Sequence, residues 1–278
     1  LDALDPGGAL SVAKAAEEFG VISYLSSVTR PGIDEIASGT DHEKVFQLYV
    51  RGDREWISQI TNKAIDLGYI YFCLTVDVAI YSRRERDLIK RYKPSGRARN
   101  DEGWEFQAAL DWDLVKWFKD TWDIPLIVKG IATAEDAARA VEHGVDVVYV
   151  SNHGGRQLDH SRGTIDMLPE IVREVGGKAE VIIDGGFCRG ADIVKALARG
   201  ANAVAIGKMQ GLGLAAAGQE GVVRVLELLE VEMNTVMGLL GLDNLEKLTE
   251  DFLEPAQPVV APAVLSAFPF LNLLPQEY

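Results

Sequence analysis

Cysteine is scarce: only Cys73 and Cys188 occur in 278 residues. They lie far apart and outside any CxxC or Cys/His spacing, which argues against a disulfide framework and against a cysteine-built zinc site. Positive charge is thin as well, with 28 Lys and Arg against 42 Asp and Glu and a formal net charge of -14. No basic run interrupts that balance, so a nucleic-acid surface is not expected, and any anionic ligand must be held by local cations. Long apolar runs are missing: no uninterrupted segment approaches the roughly 18 residues that span a bilayer. The first residues, Leu1-Asp2-Ala3, lack the basic and then apolar segments of an export signal. A protein of a reducing cytoplasm with no membrane segment is the expectation.

What the chain has in abundance is a strand and helix rhythm. Apolar, β-branched runs of strand length stand at residues 21–25, 45–50, 70–76, 126–129, 145–150, 181–183 and 203–206. Amphipathic stretches separate them, at 9–19, 33–37, 54–67, 112–121, 134–143, 163–175, 190–199 and 218–240. Such alternation predicts an α/β architecture, a TIM (β/α)8 barrel, and a length of 278 residues suits one barrel of about 250. Seven strands are legible where a barrel needs eight, and nothing before the helical stretch at 9–19 serves as a strand. The expectation is therefore a barrel whose first strand is missing from this chain. Residues 1–253 are expected to form the catalytic domain and 254–278, with Pro255, Pro258, Pro262, Pro269 and Pro275, an apolar tail docked on its own barrel or a neighbouring subunit. The polar stretch 91–110, with Pro94 and Gly96, is expected to be an irregular loop exposed over a site.

Polar residues recur where the strands stop: Ser26, Gln47 with Tyr49, Thr75 with Asp77, Lys129, Ser151 with His153, Asp184, and Gly207 with Lys208. Taken one at a time, Lys129 reads as a snorkelling surface charge, Asp77 as a turn cap and His153 as a satisfied core histidine. In a parallel barrel, however, these positions converge on one mouth, where the chemistry of that fold sits. The segment SNHGGRQLD, residues 151–159, is the most informative, because it sets His153 and Arg156 three positions apart beyond the buried run 145–150. A proton acceptor beside a bidentate carboxylate clamp suits the oxidation of a small hydroxy acid. After the last two strands, Asp184-Gly185-Gly186 and Ile206-Gly207-Lys208 let backbone N–H groups approach a phosphate, with Arg189 and Lys208 adding charge; tight turns are the plainer reading of both.

Together with FQLYV (46–50), LTVD (74–77), RRERD (83–87), LIVKG (126–130), DGG and IGK, the histidine segment resembles the FMN-dependent 2-hydroxy-acid oxidases and dehydrogenases, the glycolate oxidase, lactate dehydrogenase and mandelate dehydrogenase group. The resemblance runs in order from about Pro6 to Leu240. It implies FMN at the barrel mouth. Ser26, Gln47, Thr75, Lys129 and Ser151 would contact the ring or the ribityl chain, and Asp184, Gly185, Gly186, Arg189, Gly207 and Lys208 would hold the ribityl and phosphate groups. His153 would be the base, Asp77 its carboxylate partner, Lys129 the group that offsets negative charge on the reduced ring, and Tyr49, Arg84 and Arg156 the substrate-binding residues.

Three positions depart from the family pattern. Cys188 precedes Arg189 where the family usually has two adjacent arginines, Lys208 replaces an arginine and loses its planar fork, and Val28 stands where glycolate oxidase has a tryptophan. The expected reaction is oxidation of an (S)-2-hydroxy acid to the 2-oxo acid, with electrons passing to oxygen, a quinone or a cytochrome, in a homo-oligomer taken as a tetramer. Two other enzyme readings stay open here: an FMN barrel of different chemistry, such as an isomerase or a peptide-modifying enzyme, and a flavin-free phosphate-binding lyase or isomerase using Lys129.

Overall fold

Parallel strands packed between a barrel core and covering helices must be largely apolar, and the seven runs form one parallel sheet. In the computed structural model, which describes residues 1–82, 89–91, 102–158 and 160–255, the strands are β1 (Ser23–Ser26), β2 (Lys44–Leu48), β3 (Tyr71–Thr75), β4 (Leu126–Ile131), β5 (Val147–Val150), β6 (Glu180–Ile183) and β7 (Ala203–Val204). They pair in sequence order from β1 to β7, every pair parallel. Among the described residues β1 and β7 are the two ends of that order, so the sheet is a seven-stranded open portion of the expected barrel. Arg84, Asp159 and the tail from 256 onward lie outside the described residues.

Helices α1 (Gly8–Phe19), α2 (Ile33–Gly39), α3 (Arg54–Asp66), α4 (Trp104–Ala108), α5 (Trp112–Thr121), α6 (Ala134–Glu142), α7 (Thr164–Val175), α8 (Gly190–Ala198) and α9 (Lys208–Leu239) accompany the strands. Several start at side-chain caps that satisfy orphan backbone donors: Asp53 accepts from the Trp56 N–H, Asp111 from Leu114 and Thr133 from Asp136. None of the described helices is long and apolar enough to cross a membrane.

Successive strand side chains point to opposite faces, and the apolar residues divide accordingly. One cluster joins Phe46, Leu48, Phe72, Leu74, Leu126, Val128, Val148 and Val150 to helical residues such as Ile57, Phe118, Ala137 and Leu168, filling the layer between sheet and helices. The alternate residues Val45, Cys73, Ile127, Val147 and Tyr149, with Tyr24, Tyr71, Ile182 and Ala205 against them, form a second cluster on the inner face.

Two expectations need correction. The stretch 91–110 is not irregular throughout, because α4 lies within it and its Gln107 is buried at 1% exposure. The long C-terminal helix begins at Lys208 rather than 218, with a break at Ala217 and Gly218 (φ 58°). Its glycine-rich first part reads as loop by propensity alone. Packing overrides that preference, since a Cβ at Gly221 would lie 2.0 Å from the Gly213 carbonyl oxygen.

Where α8 meets α9, a Cβ on Gly190 would stand 2.4 Å from the Leu229 oxygen and 2.5 Å from the Met233 nitrogen. Backbone cannot retreat as a side chain can. Gly190→Ala is expected to cost about 1–3 kcal/mol, read as a lower urea midpoint; an unchanged midpoint would remove this account of the contact.

Candidate active site

The inner face that carries the second cluster turns polar at its C-terminal end. Following the two-residue period, Tyr24 is succeeded by Ser26, Val45 by Gln47, Cys73 by Thr75, Ile127 by Lys129, Tyr149 by Ser151 and Ile182 by Asp184. Thus one alternation builds the apolar plug of the barrel and, one step further along each strand, the polar floor of its mouth. Gln47 donates from Nε2 to Thr75 Oγ1 at 2.8 Å, joining two neighbouring strands. Thr75, Lys129 and Ser151 are buried.

Asp77 is the centre of this mouth. Its Oδ2 lies 3.3 Å from Lys129 Nζ and its Oδ1 2.9 Å from His153 Nδ1. Only 9% of its side chain is exposed. Burial pushes its carboxyl upward, but the hydrogen bond from His153 and the charge of Lys129 outweigh burial and hold it below the usual carboxylate range. Lys129 Nζ also sits 3.9 Å from Asp184 Oδ2, which accepts a hydrogen bond from the Tyr149 hydroxyl at 3.2 Å. Asp184 Oδ1 is buried with no hydrogen-bond partner among the described residues.

His153 starts a single tight turn, His153–Gly155, and holds φ at 57°, a left-handed conformation rare for a residue with a Cβ. Two local bonds brace it. The His153 N–H donates to Ser151 Oγ at 3.1 Å, and Asn152 Oδ1 accepts from the Gly155 N–H at 3.0 Å. With Nδ1–H donated to Asp77, the lone pair of the neutral ring is at Nε2. Tyr49 stands with its ring centroid 6.4 Å from that of His153. The following loop is laced to the loop after β3, Gln157 Nε2 donating to the Ile80 oxygen at 3.2 Å and Ser82 Oγ to the Arg156 oxygen. The Arg156 side chain is exposed and makes no hydrogen bond or ion pair among the described residues.

The remaining expected residues lie along the same rim. Ser26 Oγ accepts from the Val28 N–H at 3.4 Å. Gly185 holds φ at 103° against Thr164, whereas Cβ atoms at Gly186 and Gly207 would meet nothing within 4 Å. Lys208 is exposed at the start of α9. Arg189 binds Glu232 of α9, Nε to Oε1 at 2.7 Å.

One residue of this region escaped the sequence reading. Gln107 of α4 accepts from the Val50 N–H at 2.7 Å and donates to the Thr75 oxygen at 2.6 Å, fastening α4 to the ends of β2 and β3. A polar residue in a polar stretch carries no signal of burial, so only the fold reveals it.

Residues 2–255 match the FMN-dependent dehydrogenase family. The chain is 40% identical to the L-lactate oxidase of Nostoc sp. over 272 residues, covering 88% of this chain and 74% of that protein. It is 39% identical to 2-hydroxyacid oxidase 1 of Mus musculus, covering 86% and 71%. Among solved structures it resembles an oxidised active mutant of (S)-mandelate dehydrogenase with a TM-score of 0.84 and 36% identity, over 91% of this chain and 77% of that one. A mandelate oxidase with (S)-2-phenylpropionate gives a TM-score of 0.82 and 38% identity, over 88% and 72%.

Two expectations follow from the site. Gln107→Ala leaves a buried donor and acceptor unpaired and should lower stability by about 1–3 kcal/mol; a urea midpoint equal to the parent's would show that α4 is held by other contacts. For Asp77 the sign is fixed by its depressed pKa. Its contribution is complete above the unfolded carboxylate value of about 4 and is lost as pH falls through the lower folded value. Asp77→Asn should therefore be less stable than the parent near pH 7, with the difference shrinking as pH falls below the unfolded carboxylate value and through the lower folded one; a pH-independent difference would contradict the assignment.

Proposed function

The chain belongs to the FMN-dependent dehydrogenase family, and from that premise we propose that it oxidises an (S)-2-hydroxy acid to the 2-oxo acid with His153 as base, Arg156 as carboxylate clamp and oxygen as final electron acceptor. The observation that carries the reading is the His153–Asp77–Lys129 array beside an exposed Arg156 at one barrel mouth. The names of the relatives, lactate and 2-hydroxyacid oxidases, point the same way.

The mouth also suits the cofactor. Asp184 Oδ1, a buried acceptor without a partner, matches a ribityl hydroxyl donor, and the open space beside Gly186 and Gly207 next to the exposed Lys208 matches a phosphate. In this reading Gln47, Thr75, Ser151 and Ser26 line the ring and ribityl positions, and Lys129 lies where negative charge on the reduced ring is offset. Bound FMN would supply the acceptor for the two electrons of the substrate C–H bond and for the hydrogen that leaves with them.

The chain's own residues supply the rest. Arg156, with two parallel N–H donors, fixes the substrate carboxylate and so orients the hydroxyl-bearing carbon. The hydroxyl proton passes to His153 Nε2, the ring nitrogen left basic by the bond from Nδ1 to Asp77. The imidazolium that results is stabilised by the Asp77 carboxylate 2.9 Å away. Tyr49, packed beside the His153 ring, borders the same space.

Anaerobic mixing of the yellow holoenzyme with lactate, glycolate or mandelate should bleach the flavin, and air should restore it. His153→Ala should lose at least about a hundredfold in the rate of bleaching, the lower range for a general base. If no hydroxy acid of a broad panel bleaches the flavin, this reading fails, and a colourless protein would favour a flavin-free phosphate-binding barrel instead.

A further inference from the structure

Beside Tyr49, on the side of β1 and β2, the structure contains a cavity of about 220 Å³ whose lining includes Ser27, Val28, Tyr49, Arg51, Trp56 and Glu102. Its composition is unusual for a space next to a site that takes small apolar hydroxy acids. Arg51 leaves β2 two residues after Tyr49, and its guanidinium lies flat against the Trp104 ring of α4, 3.6 Å from the centroid. Stacking of this kind fixes the plane of the guanidinium and leaves its N–H edge for a ligand. Among the described residues its one side-chain hydrogen bond is from Nη1 to the Val50 oxygen at 2.8 Å, and it makes no ion pair. The group is partly desolvated, enough to lower its pKa, with Tyr49 opposing that effect.

The platform beneath it is rigid. Gly103 holds φ at 77°, and a Cβ there would lie 2.4 Å from the Arg51 oxygen, so α4 begins in direct contact with the Arg51 backbone. Gln107, three residues into the same helix, is tied to the Val50 N–H and the Thr75 oxygen. Arg51 is thus clamped between Trp104 and the end of β2, a placement that costs little further ordering when a ligand binds. On the opposite wall, Val28 is small and exposed, and Ser27 Oγ is occupied by the Tyr49 N–H. Glu102 is the single carboxylate in the lining and is solvent-exposed, so water screens its repulsion more than it screens the attraction of the half-buried Arg51.

We propose that this cavity is a subsite for the far end of the substrate side chain, and that Arg51 selects 2-hydroxy acids carrying a second carboxylate. The inference rests on the reading of the site given above. The first carboxylate is held by Arg156 and the second by Arg51, with Tyr49 between the two sites and Val28 leaving room for the connecting chain. Arg51 is a specificity residue; the proton transfer at His153 does not involve it.

The test uses the FMN holoenzyme and compares Arg51→Met with the parent, measuring binding and anaerobic flavin reduction separately for (S)-2-hydroxypentanedioate and for lactate. Methionine preserves packing on Trp104 while removing the charge. Binding of the hydroxy diacid is expected to weaken roughly ten- to a hundredfold in Arg51→Met, the range of a lost charge-assisted hydrogen bond, while binding and turnover of lactate change less than about threefold. Glu102→Gln, in the same cavity, should tighten the diacid and leave lactate unaffected. Equal effects of Arg51→Met on diacid and lactate, or no binding of the diacid to the parent, would overturn the subsite. Arg51-dependent diacid binding without flavin reduction by either acid would uphold the subsite and overturn the oxidase reading, so the two failures are separable.

Discussion

The carboxylate of Asp77 is the constraint on which the mouth of this barrel depends. A buried carboxylate is costly unless it is paired and hydrogen-bonded. Asp77 meets that condition by drawing on two other strand ends, Lys129 from β4 and His153 beyond β5. The requirement reaches the backbone. Gly130, at φ 116°, interrupts the pairing of β4 with β5 between Lys129 and Ile131, and a Cβ there would lie 2.6 Å from Asp77 Cβ and 2.8 Å from its nitrogen. No larger residue allows the end of β3 to approach so closely. The bulge therefore makes room for the acid in the same step that delivers the lysine.

From Asp77 the constraint passes to His153. Its left-handed backbone is held by Ser151 and Asn152 on one side and by the bond to the carboxylate on the other. Such strain persists where surrounding contacts over-determine the conformation, as they do here. The two bonds that lace residues 80–82 to Arg156 and Gln157 continue the same seam outward. Arg156 thereby has a fixed backbone and an exposed side chain, the combination a substrate clamp needs: orientation without a competing internal partner.

Much of this was legible in the sequence, for a definable reason. Parallel strands packed into a core announce themselves by apolar composition, and all seven expected strands form, with no bound shifted by more than two residues. The inward polar residues Gln47, Thr75, Lys129, Ser151 and Asp184 were legible because strand period and strand end are both visible in one dimension. What the sequence hid depends on contacts across the fold. Gln107 and α4 lie in a stretch whose composition signals solvent, and their burial follows from backbone groups of β2 and β3 some 57 and 32 residues away in sequence. The early start of α9 was hidden because its glycines lower helix propensity, while the close approach of Gly213 to Gly221 requires them. Arg51 carries no signal in the sequence because an arginine after a strand reads as surface charge, and its stacking on Trp104 depends on α4.

The end of the mouth proposed for the phosphate follows a different logic from the end proposed for proton transfer. Where the resembled family has two adjacent arginines, this chain has Cys188 and Arg189, and Arg189 is engaged by Glu232 of α9. The same carboxylate accepts from the Gly190 N–H at 2.7 Å, so Glu232 caps the start of α8 and binds the preceding arginine together. The hydrogen bonds from Arg189 and from Gly190 hold the Glu232 carboxyl below its usual range, although partial burial opposes them. Arg189 in this arrangement fastens α8 to α9, and in the proposed reading the cationic duty at the rim falls to Lys208, whose field also reaches the Cys188 thiol. A lysine is a point charge without a planar fork, so the geometry of the proposed anion binding would come from backbone N–H groups, and the glycines 186 and 207 have nothing within 4 Å of their Cβ positions. Charge is thereby reduced at the end of the mouth proposed for the phosphate, while the network that joins Asp77 to Lys129 and His153 is intact.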